Sequence, residues 1–282
     1  MLWRTSLVCA VLLAMAPAAV FGAAVVRFGS GAAPADIQGV VDQFRTDVGL
    51  GGTNNGVGGS FANGFRNINW DGVPESFAAP NNLPGNFFNS TSPRGALFST
   101  GDGTGFQVSS TNGSGTPVRF GNINAGYANT FQTFTPQRLF TVLDSTEMDV
   151  TFFVPGVPAL GATVNGFGAV FSDVDLGDSS SIEFFDAGNS LLNLVFVPAS
   201  PNSGLSFVGV SFTGGERVAR VHITSGNAPL GSSTLDGSGI DLVVMDDFMY
   251  GEPSQVPETS TLSLLGLGTL VWLAGQRLRR NP

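Results

Sequence analysis

Met148-Asp149-Val150-Thr151-Phe152 alternates apolar and polar side chains with a period of two, the pattern of a strand buried on one face. The same alternation returns downstream, where Ala219, Val221 and Ile223 share one face and Arg220, His222 and Thr224 the other. Working outward from these two segments, short strand-like runs fall at 105–109, 116–120, 138–143, 148–154, 166–171, 181–186, 191–197, 205–212, 218–224 and 240–245. Gly, Pro and Asn punctuate the intervals between them. Many short strands joined by turns, with no alternating helices, predict an antiparallel β-sandwich of jelly-roll or lectin-like type. One helix is legible before them: Ile37, Val40, Val41, Phe44 and Val48 recur at helical spacing. Asp36 after Pro34 is placed to cap its start, and Gly49 with the Gly/Asn run that follows ends it. This amphipathic helix should lay its apolar stripe on a sheet.

Composition narrows the chemistry. The chain of 282 residues carries a formal charge of −9, contains no lysine, and has Cys9 and His222 as its single cysteine and histidine. A phosphate-cradling Walker loop and a Schiff-base nucleophile both require lysine. A Cys/His zinc centre requires several such ligands. The acidic surplus argues against nucleic acid, whose phosphates demand Lys and Arg. Calcium or an extracellular polysaccharide suits this surface better.

The two ends have a different character. Arg4 precedes an apolar run from Leu7 to Val20 and the small residues Gly22-Ala23-Ala24, the layout of a secretory signal peptide over 1–23. Export through the Sec machinery follows from it. At the other end Val256-Pro257-Glu258-Thr259 leads into an apolar stretch at 261–275 and closes on Arg277, Arg279 and Arg280. A basic cluster after an apolar helix orients it with the arginines on the cytoplasmic side. The stretch is short for a permanent membrane span and suits a transient helix. Motif, apolar helix and terminal arginines in this order resemble the PEP-CTERM sorting tail, also catalogued as the ice-binding protein C-terminal domain. Thr259 stands where that family has a second proline. The resemblance implies recognition and cleavage by an exosortase in the membrane, with the tail spanning 255–282 and the cargo domain 24–254.

Four internal blocks resemble a domain that recurs in PEP-CTERM proteins. They are Asn67-Ile68-Asn69-Trp70-Asp71-Gly72-Val73-Pro74, the stretch from Phe167 to Asp175, that from Leu205 to Val210, and that from Met245 to Pro253. This implies an exported, lectin-like sandwich without a defined catalytic activity.

Three groups of residues are candidates for binding. Asp173 and Asp175 lie two apart after a strand and Asp178 follows within a turn. With Asp246 or Asp247 brought in from another strand, they make the expected calcium ligands, since calcium takes six to eight hard oxygens. The segment departs from an EF-hand loop at Gly177 and Phe184. Asp236 and Asp241 flank a Gly/Ser turn expected to be a hairpin connection, with a metal loop as its alternative. Trp70 with Asn67, Asn69 and Asp71 has the composition of a sugar site, or of a buried indole with polar neighbours. His222 beside Arg220 is expected on a polar strand face. The function expected is therefore a non-enzymatic surface or matrix protein in the cell envelope or outside it. A secreted glycan hydrolase or lyase is the alternative, and ice binding lacks the Thr-x-Thr arrays it would need.

Overall fold

The computed structural model describes residues 24–255. The signal peptide at 1–23, the apolar stretch at 261–275 and the sorting residues Val256, Pro257, Glu258, Thr259, Arg277, Arg279 and Arg280 lie outside the described residues.

Strand β1 (Ala24–Gly31) leads into helix α1 (Pro34–Gly49). The short strands β2 (Phe65–Ile68), β3 (Ala96–Ser99) and β4 (Gly105–Val108) follow. After the single turn α2 (Tyr127–Thr130) come β5 (Phe140–Leu143), β6 (Glu147–Val154), β7 (Val157–Thr163) and β8 (Gly166–Ser172). The chain continues through β9 (Ser181–Phe185), β10 (Leu191–Phe196), β11 (Leu205–Phe212), β12 (Arg220–Thr224), β13 (Val244–Gly251) and β14 (Ser254–Gln255). Two seven-stranded sheets result. One runs β1-β11-β8-β13-β5-β4 with β2 on β13; the other runs β10-β9-β12-β6-β7-β14 with β3 on β6. The ladders between named strands are antiparallel throughout. The protein is a mainly β, antiparallel sandwich with one amphipathic helix near its start.

The alternating segments behave as their pattern requires. In β6, Met148, Val150 and Phe152 point into the sandwich, and β12 contributes Val221 and Ile223 beside them. Arg220, His222 and Thr224 lie on the outer face. By contrast β8, β11 and β13 are buried at every position. Helix α1 is the reason: Ile37, Val41, Phe44 and Val48 cover the outer face of the first sheet against Val170, Leu205, Phe207 and Met249. Phe44 fits because Gly168 and Gly209 are cross-strand partners. A Cβ on either would come within 2.9 and 2.7 Å of the Phe44 ring. The helix starts as expected, with the Asp36 carboxylate accepting the Ala33 amide at 2.9 Å, and it ends on left-handed Leu50.

Two expected strands change. Residues 116–120 form a turn whose Val118 makes only an isolated bridge to Ser110, because Arg119 and Phe120 are both left-handed, at φ 50° and 63°. In 240–245 the ladder begins only at Val244. Strand β1 had no place among the expected strands.

Candidate functional site

Three elements meet at one end of the sandwich. The segment after β8 turns sharply at Asp173, whose φ of 70° is left-handed. The loop before β11 supplies Ser203, and the loop between β12 and β13 carries a tight turn closed by Gly237 and Ile240, which exchange hydrogen bonds at 2.9 and 3.1 Å. One carboxylate oxygen from each of Asp173, Asp175 and Asp236 lies within 4.8 Å of the others.

The acids here have different partners. Asp241, fully buried, accepts the Asp175 and Leu176 amides at 3.1 and 3.0 Å and the Ser179 hydroxyl. Its amide donates to the Asn227 side chain at 2.8 Å. Asp241 therefore holds the 175–179 loop in place. Asp236 accepts the Leu242 amide at 3.0 Å. Asp173 is 0% exposed, and its Oδ1 accepts the Ser203 amide at 2.6 Å. Its Oδ2 is sealed from solvent and has no hydrogen-bond donor. Among the described residues none of Asp173, Asp175 and Asp236 forms an ion pair. Burial pushes the Asp173 carboxyl up to about 7, with Asp236, Asp175 and Asp241 adding repulsion against the Ser203 amide. Asp175 is raised too, first by burial and then by Asp236 and Asp241.

The expected calcium set is thus divided. Asp173 and Asp175 come together as anticipated. Asp178 is exposed and lies outside the cluster. Asp236 takes the place expected of Asp246 or Asp247, its only advance signal being its position in an Asp-flanked Gly/Ser turn.

Asp246 and Asp247 sit instead at a bulge in β13, where the pairing with β8 slips between Met245 and Phe248. The extra residue lets Met245 and Phe248 both face the sandwich core and turns the two acids away from it, toward α1 and the 134–135 segment. Asp246 Oδ2 accepts the Phe134 amide at 2.6 Å and the Thr135 amide at 3.3 Å. Asp247 accepts the Thr135 hydroxyl at 2.7 Å, the Asn67 side-chain amide at 3.0 Å and the Arg45 guanidinium at 3.1 Å. Burial, then the charge of Asp247, holds the Asp246 carboxyl well above the usual range. These two acids are occupied by protein donors, so they have no part in the cluster of Asp173.

Of the two readings of Asn69, Trp70 and Asp71, packing favours the buried indole over the sugar site. Trp70 is 1% exposed, stacked on Phe140 at 4.2 Å and edged by Phe88 and Phe248. Its indole N–H donates to the Asp246 carbonyl at 2.7 Å, capping the bulge. Asp71 accepts the Gln137 and Arg138 amides at 2.6 and 3.1 Å. The cavity beside Asn69 and Trp70 measures about 30 Å³, room for a few waters at most. A pyranose does not fit there. A roomier recess of about 210 Å³ opens between Asn112, Arg119, Gln132 and Gln137, and no carboxylate lines it.

His222 lies on the outer face of the second sheet as expected. Its Nδ1 is 3.1 Å from Asp149, which also accepts Arg220 at 2.6 Å, and the Arg220 guanidinium covers Phe185 at 3.9 Å. Among the described residues no helix is long and apolar enough to cross a membrane. Compared with models of known protein families and with curated proteins, the chain matches none.

Proposed function

We propose that this chain is an exported, non-enzymatic protein of the cell surface or extracellular matrix, secreted through Sec and sorted by an exosortase that cuts its PEP-CTERM-type tail. The observation that carries this reading is the order of the C-terminal features: Pro257-Glu258, an apolar stretch at 261–275, and Arg277, Arg279 and Arg280. The described residues 24–255 form one antiparallel sandwich, an architecture compatible with such a cargo domain. Its stability rests on apolar packing in the interior, under α1 and around Phe120, Tyr127, Phe131 and Leu242, without cysteine in the 24–255 segment. Among extracellular ligands, polysaccharide is the partner we propose for the exposed polar faces; the buried Trp70 is not its contact.

The test is fractionation of the full chain in hosts with and without an exosortase. Cleavage and departure from the inner membrane only in the exosortase-bearing host, and loss of both in a Pro257→Ala/Glu258→Ala variant, are expected. Identical fractionation of the variant and the parent in both hosts would refute the sorting reading.

A further inference from the structure

We infer that Asp173, Asp175 and Asp236 form a calcium site that ties the 173–180 loop to the 226–243 loop at one end of the sandwich. Two independent observations point to a ligand. The first is proximity: ligand oxygens within 4.8 Å of one another fit around one calcium, because bonds of about 2.4 Å place opposing ligands no more than about 4.8 Å apart. The second is the Oδ2 of Asp173. A carboxylate oxygen closed off from water, with no donor from the protein, carries a desolvation cost that a bound cation removes. Among the described residues no arginine forms an ion pair with Asp173.

The surroundings fit calcium chemistry. Every donor offered is a hard carboxylate oxygen, with no imidazole or thiolate among them. Asp175 and Asp236 reach the solvent edge, which leaves room for water to complete a coordination shell of six or more. Asp241 acts as a positioning residue. By holding the Asp175 and Leu176 amides and the Ser179 hydroxyl, it keeps the Asp175 carboxylate turned toward Asp173 and Asp236 without spending its own oxygens on the ion. Three carboxylates with few constraining protein ligands place the affinity in the range of extracellular modules, a Kd of about 10⁻⁴–10⁻³ M. The inference depends on the export reading only for a calcium-rich surrounding. Binding by purified protein is indifferent to the tail, so the two proposals fail separately.

The experiment is calcium titration by calorimetry, paired with thermal unfolding, on purified full-length protein stripped with chelator. One site per chain, with a rise in Tm of a few degrees at saturating calcium and a clearly smaller response to magnesium, is expected. Asp175→Asn and Asp236→Asn, both at the solvent edge, should each weaken calcium binding at least tenfold while keeping the chelator-stripped Tm near that of the parent. Asp178→Asn, in the same loop but outside the cluster, should bind like the parent. No calcium-dependent heat or Tm change at millimolar concentration would overturn the assignment. So would a magnesium response equal to that of calcium, or binding that survives in both edge variants.

Discussion

Two groups of aspartates lie near the rim of the first sheet, and they meet opposite fates. Asp246 and Asp247 are completely buried, yet both are met by protein donors: the Phe134 and Thr135 amides, the Thr135 hydroxyl, the Asn67 amide and the Arg45 guanidinium. Asp173 is equally buried but has one donor, one orphaned oxygen, and two more carboxylates for neighbours. Burial alone therefore does not mark a binding site. The mark is a deficit of protein donors where charge has been removed from water. The first pair completes its hydrogen bonds within the fold and is structural. The second group completes them only with something from outside.

The largest effect is expected at the structural pair. Asp247→Ala leaves Arg45, Asn67 and Thr135 without their common acceptor and should cost about 3 kcal/mol, measured by denaturant unfolding with or without calcium. A cost below about 1 kcal/mol would mean that these contacts hold little. Next is the helix that delivers Arg45. Gly209→Ala puts a methyl 2.7 Å from the Phe44 ring and should cost about 1–3 kcal/mol by overpacking. Its calcium response should be unchanged, since α1 does not touch that cluster.

A finer test uses pH. Asp246 has a folded-state pKa raised well above the unfolded value of about 3.9 by burial and Asp247, with Asp71 adding repulsion. A raised acid contributes its stability fully below the unfolded pKa and loses it as pH rises through the folded one. Asp246→Asn keeps an acceptor for Phe134 and gives Asp247 a donor, mimicking the protonated acid. Relative to the parent, it should therefore gain stability progressively from pH 4 toward neutrality, as read from Tm across that window. A gap that stays constant with pH would assign the proton elsewhere. The smallest expected effect is Asp175→Asn in chelator: removing one like charge should shift stability by less than about 0.5 kcal/mol, in contrast to Asp247→Ala.

How far these features could be read from sequence varies with the range of the interaction. Period-two alternation at Met148–Phe152 and the helical spacing of Ile37 to Val48 are local, and both elements formed where they were expected. The fully buried strands β8, β11 and β13 carry no alternation, because α1 covers the face that would otherwise be polar. Strand β1 escaped notice for a different reason: Ala24-Val25-Val26 continues the apolar run of the residues before it. Among the acids, Asp173 and Asp175 share one loop and were found together. Asp236 lies some sixty positions away and joins them only through the crossing from the second sheet to the first. The bulge at Asp246-Asp247 reversed their expected role, since a one-residue slip redirects side chains in a way that residue identity does not reveal. Trp70 followed the burial reading, as a large indole whose N–H found a backbone acceptor.

The division between a self-sufficient acid pair and a ligand-requiring acid cluster is tested most directly by a crystal structure of the protein grown in calcium. One ion bound by Asp173, Asp175 and Asp236 at about 2.3–2.6 Å, in contact with the Asp173 Oδ2, and none between Asp246 and Asp247, is expected. An empty Asp173 cluster with that oxygen bonded to a protein donor, or an ion seated on Asp246 and Asp247 instead, would contradict it.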